Sequence, residues 1–205
     1  MKEAGDRTYR IEVIEAPDEA LLPRGEKGRF PPGNYLHGSI LWLRGDKEFV
    51  LSQNLPNGQK RIMGRDADRS WSLRGHEPLR LSHDPDRFSR AIFAKNGDIA
   101  FLDLRTQLNE LKHLFQLKWI DRNSPELWKL SGTRKSDNQG GPREIEIWFN
   151  PQTEILQRMI LKQLPRANGG PRSVAIILLS SEPLPPDWFQ HHHHHEPNRK
   201  IFFEP

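Results

Sequence analysis

From Thr8 to Ile14 apolar and polar residues alternate, with Tyr9, Ile11 and Val13 on one side of the chain, and this period of two predicts a half-buried strand. Between Gly38 and Leu81 short apolar runs recur between Gly, Asn, Asp and Pro. That spacing predicts strands over 39–44, 48–53, 59–64 and 69–73, joined by turns at 44–47, 55–58 and 64–68, an antiparallel meander. In the second half Ile145, Ile147 and Phe149 share one face of a strand over 144–149; 150–154 turns the chain and 155–164 runs back as a hairpin partner. Further strands are predicted over 127–133, 173–180 and 200–203.

The period changes between the two meanders. Asp84 and Pro85 offer an N-cap and a proline at the first helical position for a short helix over 86–93. Asp103 can cap a longer one in which Leu104, Leu108, Leu111 and Phe115 form a stripe down one face. Such a stripe needs an apolar partner. A curved antiparallel sheet, a half-open barrel with helices covering its concave face, satisfies both patterns and gives an α+β class. Residues 1–205 read as a single domain, interrupted by a Pro/Gly-rich loop at about 16–38 and a His-rich loop at 190–199.

Composition narrows the chemistry. Lys and Arg total 31 against 27 Asp and Glu, a net charge of +4 without a dense basic run, so the clustered footprint of a nucleic-acid binder is missing. Cysteine is absent, which removes disulfides, thiolate nucleophiles and thiolate metal sites. The longest apolar run, Val174 to Leu179, is far shorter than a membrane span.

No constellation reads as a catalytic centre, a cofactor cradle or a metal site, and the expectation is a protein that is not an enzyme. His191–His195 is metal-affine by composition but reads first as an exposed low-complexity turn. His37, His76, His83 and His113 lack the spacing of a helical zinc site. His83-Asp84 has no serine in a nucleophile-elbow context to serve. Glu144 and Glu146 read as the wet outer face of a strand. Five tryptophans, Trp42, Trp71, Trp119, Trp128 and Trp148, fall in or beside strands, where they could widen an apolar surface.

Three stretches resemble a known superfamily. Asp66-Ala67-Asp68-Arg69-Ser70-Trp71 is similar to its turn-and-strand motif, Glu144 to Leu161 to its central hairpin, and Leu184-Pro185-Pro186-Asp187-Trp188-Phe189 to its closing element. Together with the strand series over 38–64, they resemble the bacterial outer-membrane lipoprotein carriers and the related periplasmic regulators of envelope-stress sigma factors. The resemblance implies a half-open barrel around an apolar cavity, a periplasmic or otherwise extracytoplasmic location, and a carrier or sensor role. Expected partners are a lipid or acylated protein, or an apolar peptide, with peripheral membrane association and no cofactor. The expected cavity lining is Trp42, Trp71, Leu108, Leu111, Phe115 and Trp148. The alternative is an interaction or regulatory module that recognises a protein partner over a fully packed core.

Overall fold

The computed structural model describes residues 5–15, 36–45, 48–55, 57–85, 87–88, 111–136, 141–164 and 171–205. They form one sheet of twelve strands: β1 (Arg7–Glu15), β2 (Ser39–Arg44), β3 (Glu48–Asn54), β4 (Lys60–Arg65), β5 (Ser70–Arg74), β6 (Leu79–Ser82), β7 (Phe115–Asp121), β8 (Trp128–Arg134), β9 (Glu144–Phe149), β10 (Leu156–Lys162), β11 (Ser173–Ser180) and β12 (Ile201–Glu204). The order is β12-β6-β5-β4-β3-β2-β1-β11-β10-β9-β8-β7. Two antiparallel meanders, β1 to β6 and β7 to β11, are therefore joined edge to edge by the β1–β11 pair. Only β12, beside β6, runs parallel to its neighbour. The sheet does not close into a barrel.

The strand series is the one the alternation predicts, with two additions. Leu79–Ser82 is a strand, and so is Phe115–Asp121. The second corrects the helical stripe: helix occupies 111–114 and ends there, and Phe115 begins β7. Its side chain is buried on the sheet, paired with Arg134, instead of continuing a helix face. The predicted helices over 86–93 and 104–110 lie outside the described residues, apart from Arg87 and Phe88, which sit in a turn. The loop at 16–38 is described only from Leu36.

One face carries Tyr9, Ile11, Leu41, Leu43, Leu51 and Met63 from the first meander. Phe115, Leu130, Ile147, Met159 and Ile176 continue it on the second. We call it the Tyr9 face. The opposite face divides. Over β8 to β10 it is polar, with Glu146 between Lys129 and Lys162 and with Trp148 under Lys129 and Arg158. Over β2 to β6 it is apolar: Trp42, Val50, Gly64, Trp71 and Leu81 lie side by side in register. This Trp71 face is covered by the chain after β11, a strap in which Leu184, Trp188 and Phe189 pack on the sheet.

The first part of the strap is rich in proline and joins no described ladder, so its carbonyls need donors from elsewhere. Arg44 supplies them. Its guanidinium donates to the carbonyls of Leu184, Pro185 and Pro186 at 3.1, 3.0 and 2.8 Å and to both oxygens of Asp6 at 2.8 and 2.9 Å. It also lies 4.6 Å over the Phe189 ring. Asp6 in turn accepts the Leu184 N–H at 2.6 Å. Further along, Trp71 Nε1 donates to the Phe189 carbonyl at 3.1 Å. The strap ends in β12, where the buried Glu204 carboxylate accepts from Arg80 and Arg87.

Gly64 makes room for Trp71, since a Cβ there would meet the indole at 2.3 Å and the Phe49 carbonyl at 3.0 Å. Gly64→Ala is expected to destabilise the fold by about 1–3 kcal/mol, the usual cost of overpacking. Arg44→Met, which strands the Asp6 carboxylate, is expected to cost about 3–5 kcal/mol. Chemical denaturation measures both; a neutral Arg44→Met would show that the strap is held by packing alone.

Candidate functional site

The Tyr9 face carries the larger of the two hydrophobic clusters, and its side chains from Ile11 to Leu130 are buried. Register builds it. Ile11, Ile176, Met159, Ile147, Leu130 and Trp119 face one another in a single row across β1, β11, β10, β9, β8 and β7. A second row runs Val13, Val174, Leu161, Ile145, Gly132 and Leu117 across the same strands. At a strand spacing of about 4.8 Å the rows span about 24 Å. Leu117 and Ile145 close over Gly132, where a Cβ would meet them at 2.8 and 3.0 Å. The rows surface at the β7 edge, where Trp119 is 41% exposed and forms an aromatic cluster with Trp128 and Phe149. Arg122 lies 4.5 Å over both indoles.

Tyr9 sits where these rows pass into the first meander, between Leu41 and Leu178. It is fully buried, and its hydroxyl has no hydrogen-bond partner among the described residues. Burial pushes the phenol up to about 12, against the pull of Arg7, so the group is a proton donor at any physiological pH. Arg7 lies two residues back on the same strand and therefore on the same face.

The six residues expected to line a cavity divide between the two faces. Phe115 is in the Tyr9-face core and Leu111 packs against it. Trp42 and Trp71 lie on the Trp71 face, Trp42 edge-on to Trp188 at 5.5 Å and Trp71 fully buried beneath the strap. Trp148 is on the polar part of that same side. Leu108 lies outside the described residues. Those three tryptophans and the pair Leu111 and Phe115 thus do not share one surface, because alternation assigns residues to a face only once register is known. Tyr9 was visible as an apolar-side strand residue, but its unpartnered hydroxyl carries no signal in the sequence.

The histidine tract is a turn, as expected, packed on one side. His191–His194 form one turn of 3-10 helix; His192 and His193 are exposed, while His194 stacks on Trp71 at 5.1 Å with its Nε2 2.6 Å from the Trp188 carbonyl oxygen. His191 and His195 stack at 5.4 Å. Among the described residues no group of three or more His, Cys, Asp or Glu could hold a metal ion. His76, His83 and His113 are exposed, and His37 Nδ1 accepts the Val13 N–H at 3.2 Å. Glu146 is tied into its two lysines and Glu144 accepts from Gln163 at 2.8 Å, so the outer-face carboxylates are ion-paired and hydrogen-bonded. Among the described residues no helix is long and apolar enough to cross a membrane.

The described residues thus form an unclosed sheet with one extended apolar face. No protein-family model and no curated protein matches the chain. Among solved structures it is similar to MucB in complex with MucA(peri), at 9% identity and TM-score 0.33, over 92% of this chain and 54% of that one. It is also similar to a LolA superfamily protein from Nitrosomonas europaea, at 8% identity and TM-score 0.31, over 94% of this chain and 92% of that one. The chain spans about half the length of the MucB chain. These neighbours are a periplasmic sigma-factor regulator and a lipoprotein-carrier relative, the two branches that the sequence motifs resemble.

Acid should loosen the strap in two stages. Burial holds the His191 and His194 imidazoles below the usual 6.5; neighbouring histidines reinforce this, and the Trp188 carbonyl opposes it at His194. The detached strap therefore takes up protons that the docked one refuses, and docking weakens as pH falls from 6.5 towards the depressed values. Asp6 and Glu204 act later. Burial pushes both carboxyls up, but Arg44 with the Leu184 amide, and Arg80 with Arg87, outweigh it and hold them low. Their stabilisation is complete above the ordinary carboxylate range and is lost as pH falls through the lowered values. Hydrogen exchange at 188–195, normalised to intrinsic rates, is expected to accelerate between pH 7 and 5 and to flatten in a His191→Gln, His194→Gln variant; pH-independent protection would refute this.

Proposed function

We propose that the protein is a non-enzymatic binding protein that takes an acyl chain or an extended apolar peptide along the Tyr9 face, as a carrier or sensor. The observation that carries this reading is the pair of apolar rows crossing six strands of a single open sheet. Their span of about 24 Å suits a long acyl chain or about seven residues of extended peptide. Each methylene buried there contributes about 0.8 kcal/mol, so an acyl chain needs no charged anchor for useful affinity. Entry is from the β7 edge, where Leu117 and Trp119 are accessible and Leu111 stands beside the rows. The location that goes with this role is extracytoplasmic, which a cysteine-free chain tolerates.

A second reading, a module that recognises a protein, is favoured by one feature. Trp119, Ile120 and Leu127 stand 40–50% exposed at the free β7 edge, beside the stacked Arg122. Exposed apolar side chains next to an unpaired strand edge are the usual ingredients of strand-addition binding.

Lipid extraction and native mass spectrometry of protein purified from a bacterial host, with fluorescent fatty-acid titration, separate the two. Copurifying lipid and saturable uptake are expected for the first. Leu111→Glu is expected to abolish uptake while the far-ultraviolet spectrum of the sheet is kept. Unchanged uptake in that variant would remove the β7 end of the face from the site, and absence of any uptake by the wild type would move the weight to the protein partner.

A further inference from the structure

Resting on the acyl-binding reading, we infer that Tyr9 is the polar pole of the site, its buried hydroxyl donating to the carbonyl or carboxylate oxygen at the head of a single-chain lipid. Three observations point there. The hydroxyl belongs to a fully buried member of the apolar cluster and has no hydrogen-bond partner among the described residues. A buried donor left unpaired loses its hydrogen bonds to water without return, so such a group signals a missing partner. Arg7, on the same face two residues back, interacts electrostatically with the phenol. The apolar rows begin one residue pair away, at Ile11 and Ile176, so a chain whose head meets Tyr9 has its methylenes on the rows.

The chemistry at the head is a lone-pair oxygen on an alkyl chain. A free fatty acid and an acyl ester both supply it. Neither an alkane nor an alkyl ammonium does. Tyr9→Phe removes the donor and keeps the ring, so the core should stay filled.

The test compares dodecanoate, methyl dodecanoate and dodecane as competitors of a fluorescent alkyl probe on wild type and on Tyr9→Phe. Dodecanoate and its ester are expected to bind Tyr9→Phe about threefold to tenfold more weakly, the scale of one lost hydrogen bond, with dodecane unchanged. Loss for the acid alone would place a carboxylate at the hydroxyl; loss for both would place a carbonyl. The unliganded variant should be as stable as wild type or more so, because it no longer buries an orphan hydroxyl. A less stable Tyr9→Phe, or undiminished dodecanoate binding, would overturn the assignment. The chain has only two tyrosines, so Tyr35→Phe leaves Tyr9 as the one reporter. Its ζ-carbon NMR signal should shift with dodecanoate and not with dodecane, and an unmoved signal would also overturn the assignment. If the wild type takes none of the three competitors, the acyl-binding reading fails before Tyr9 is in question.

Discussion

The guanidinium of Arg44 holds together parts of the chain that no ladder could join. It sits at the end of β2 and uses its donors on a carboxylate from the start of the chain and three successive carbonyls from near its end. The need follows from the sheet. Over β2 to β4 it is apolar on both sides, so a second layer must cover the Trp71 face, and the segment that does so carries Pro183, Pro185 and Pro186. Proline removes donors while leaving carbonyls to be satisfied. A planar cation with five N–H groups meets that demand at one point, and Asp6 neutralises it there.

The two halves of the sheet solve the same problem differently. Over β8 to β10 the side opposite the Tyr9 face is wet: Lys129, Glu146 and Lys162 form a charged band, and Trp148 lies flat under cations. One wet face is the ordinary condition of an antiparallel sheet. Over β2 to β4 both sides are apolar, and Gly64 lets Trp71 of β5 lie against the sheet beneath Phe189 and His194. The strap then finishes as β12 against β6, fixed by Glu204 between Arg80 and Arg87. The charged side chains thus pin this one cover at its two ends, and the aromatic ones fill the span between.

Strands were legible in the sequence because alternation is a local property; nine-residue β1 and the β9–β10 hairpin are plain in it. The faces were not. In β2 the run Ile40, Leu41, Trp42 and Leu43 is apolar at both parities, so nothing local says that Leu41 and Trp42 look in opposite directions into two different cores. Trp71 alternates cleanly with serines, yet its side is fixed only by register with Gly64 and Leu81. Phe115 fits a helical stripe through Leu111 equally well as a strand start, and the neighbour β8 decided between them. The histidine tract looked like an exposed polar run because composition cannot show an indole waiting beneath it.

Tyr9 and Trp71 make the remaining contrast. Both are large aromatic residues, fully buried at the centre of an apolar cluster, and each carries one polar atom that burial strips of water. The chain answers Trp71 itself, by bringing the Phe189 carbonyl across the face to its N–H. It leaves the Tyr9 hydroxyl unanswered. Phenylalanine would fill the same space in β1 without the desolvation cost, so a tyrosine there is a local inconsistency of the kind that folded chains keep where a site needs it. On the covered face the polar tip secures the cover. On the Tyr9 face the same device points to an acceptor that does not belong to the chain.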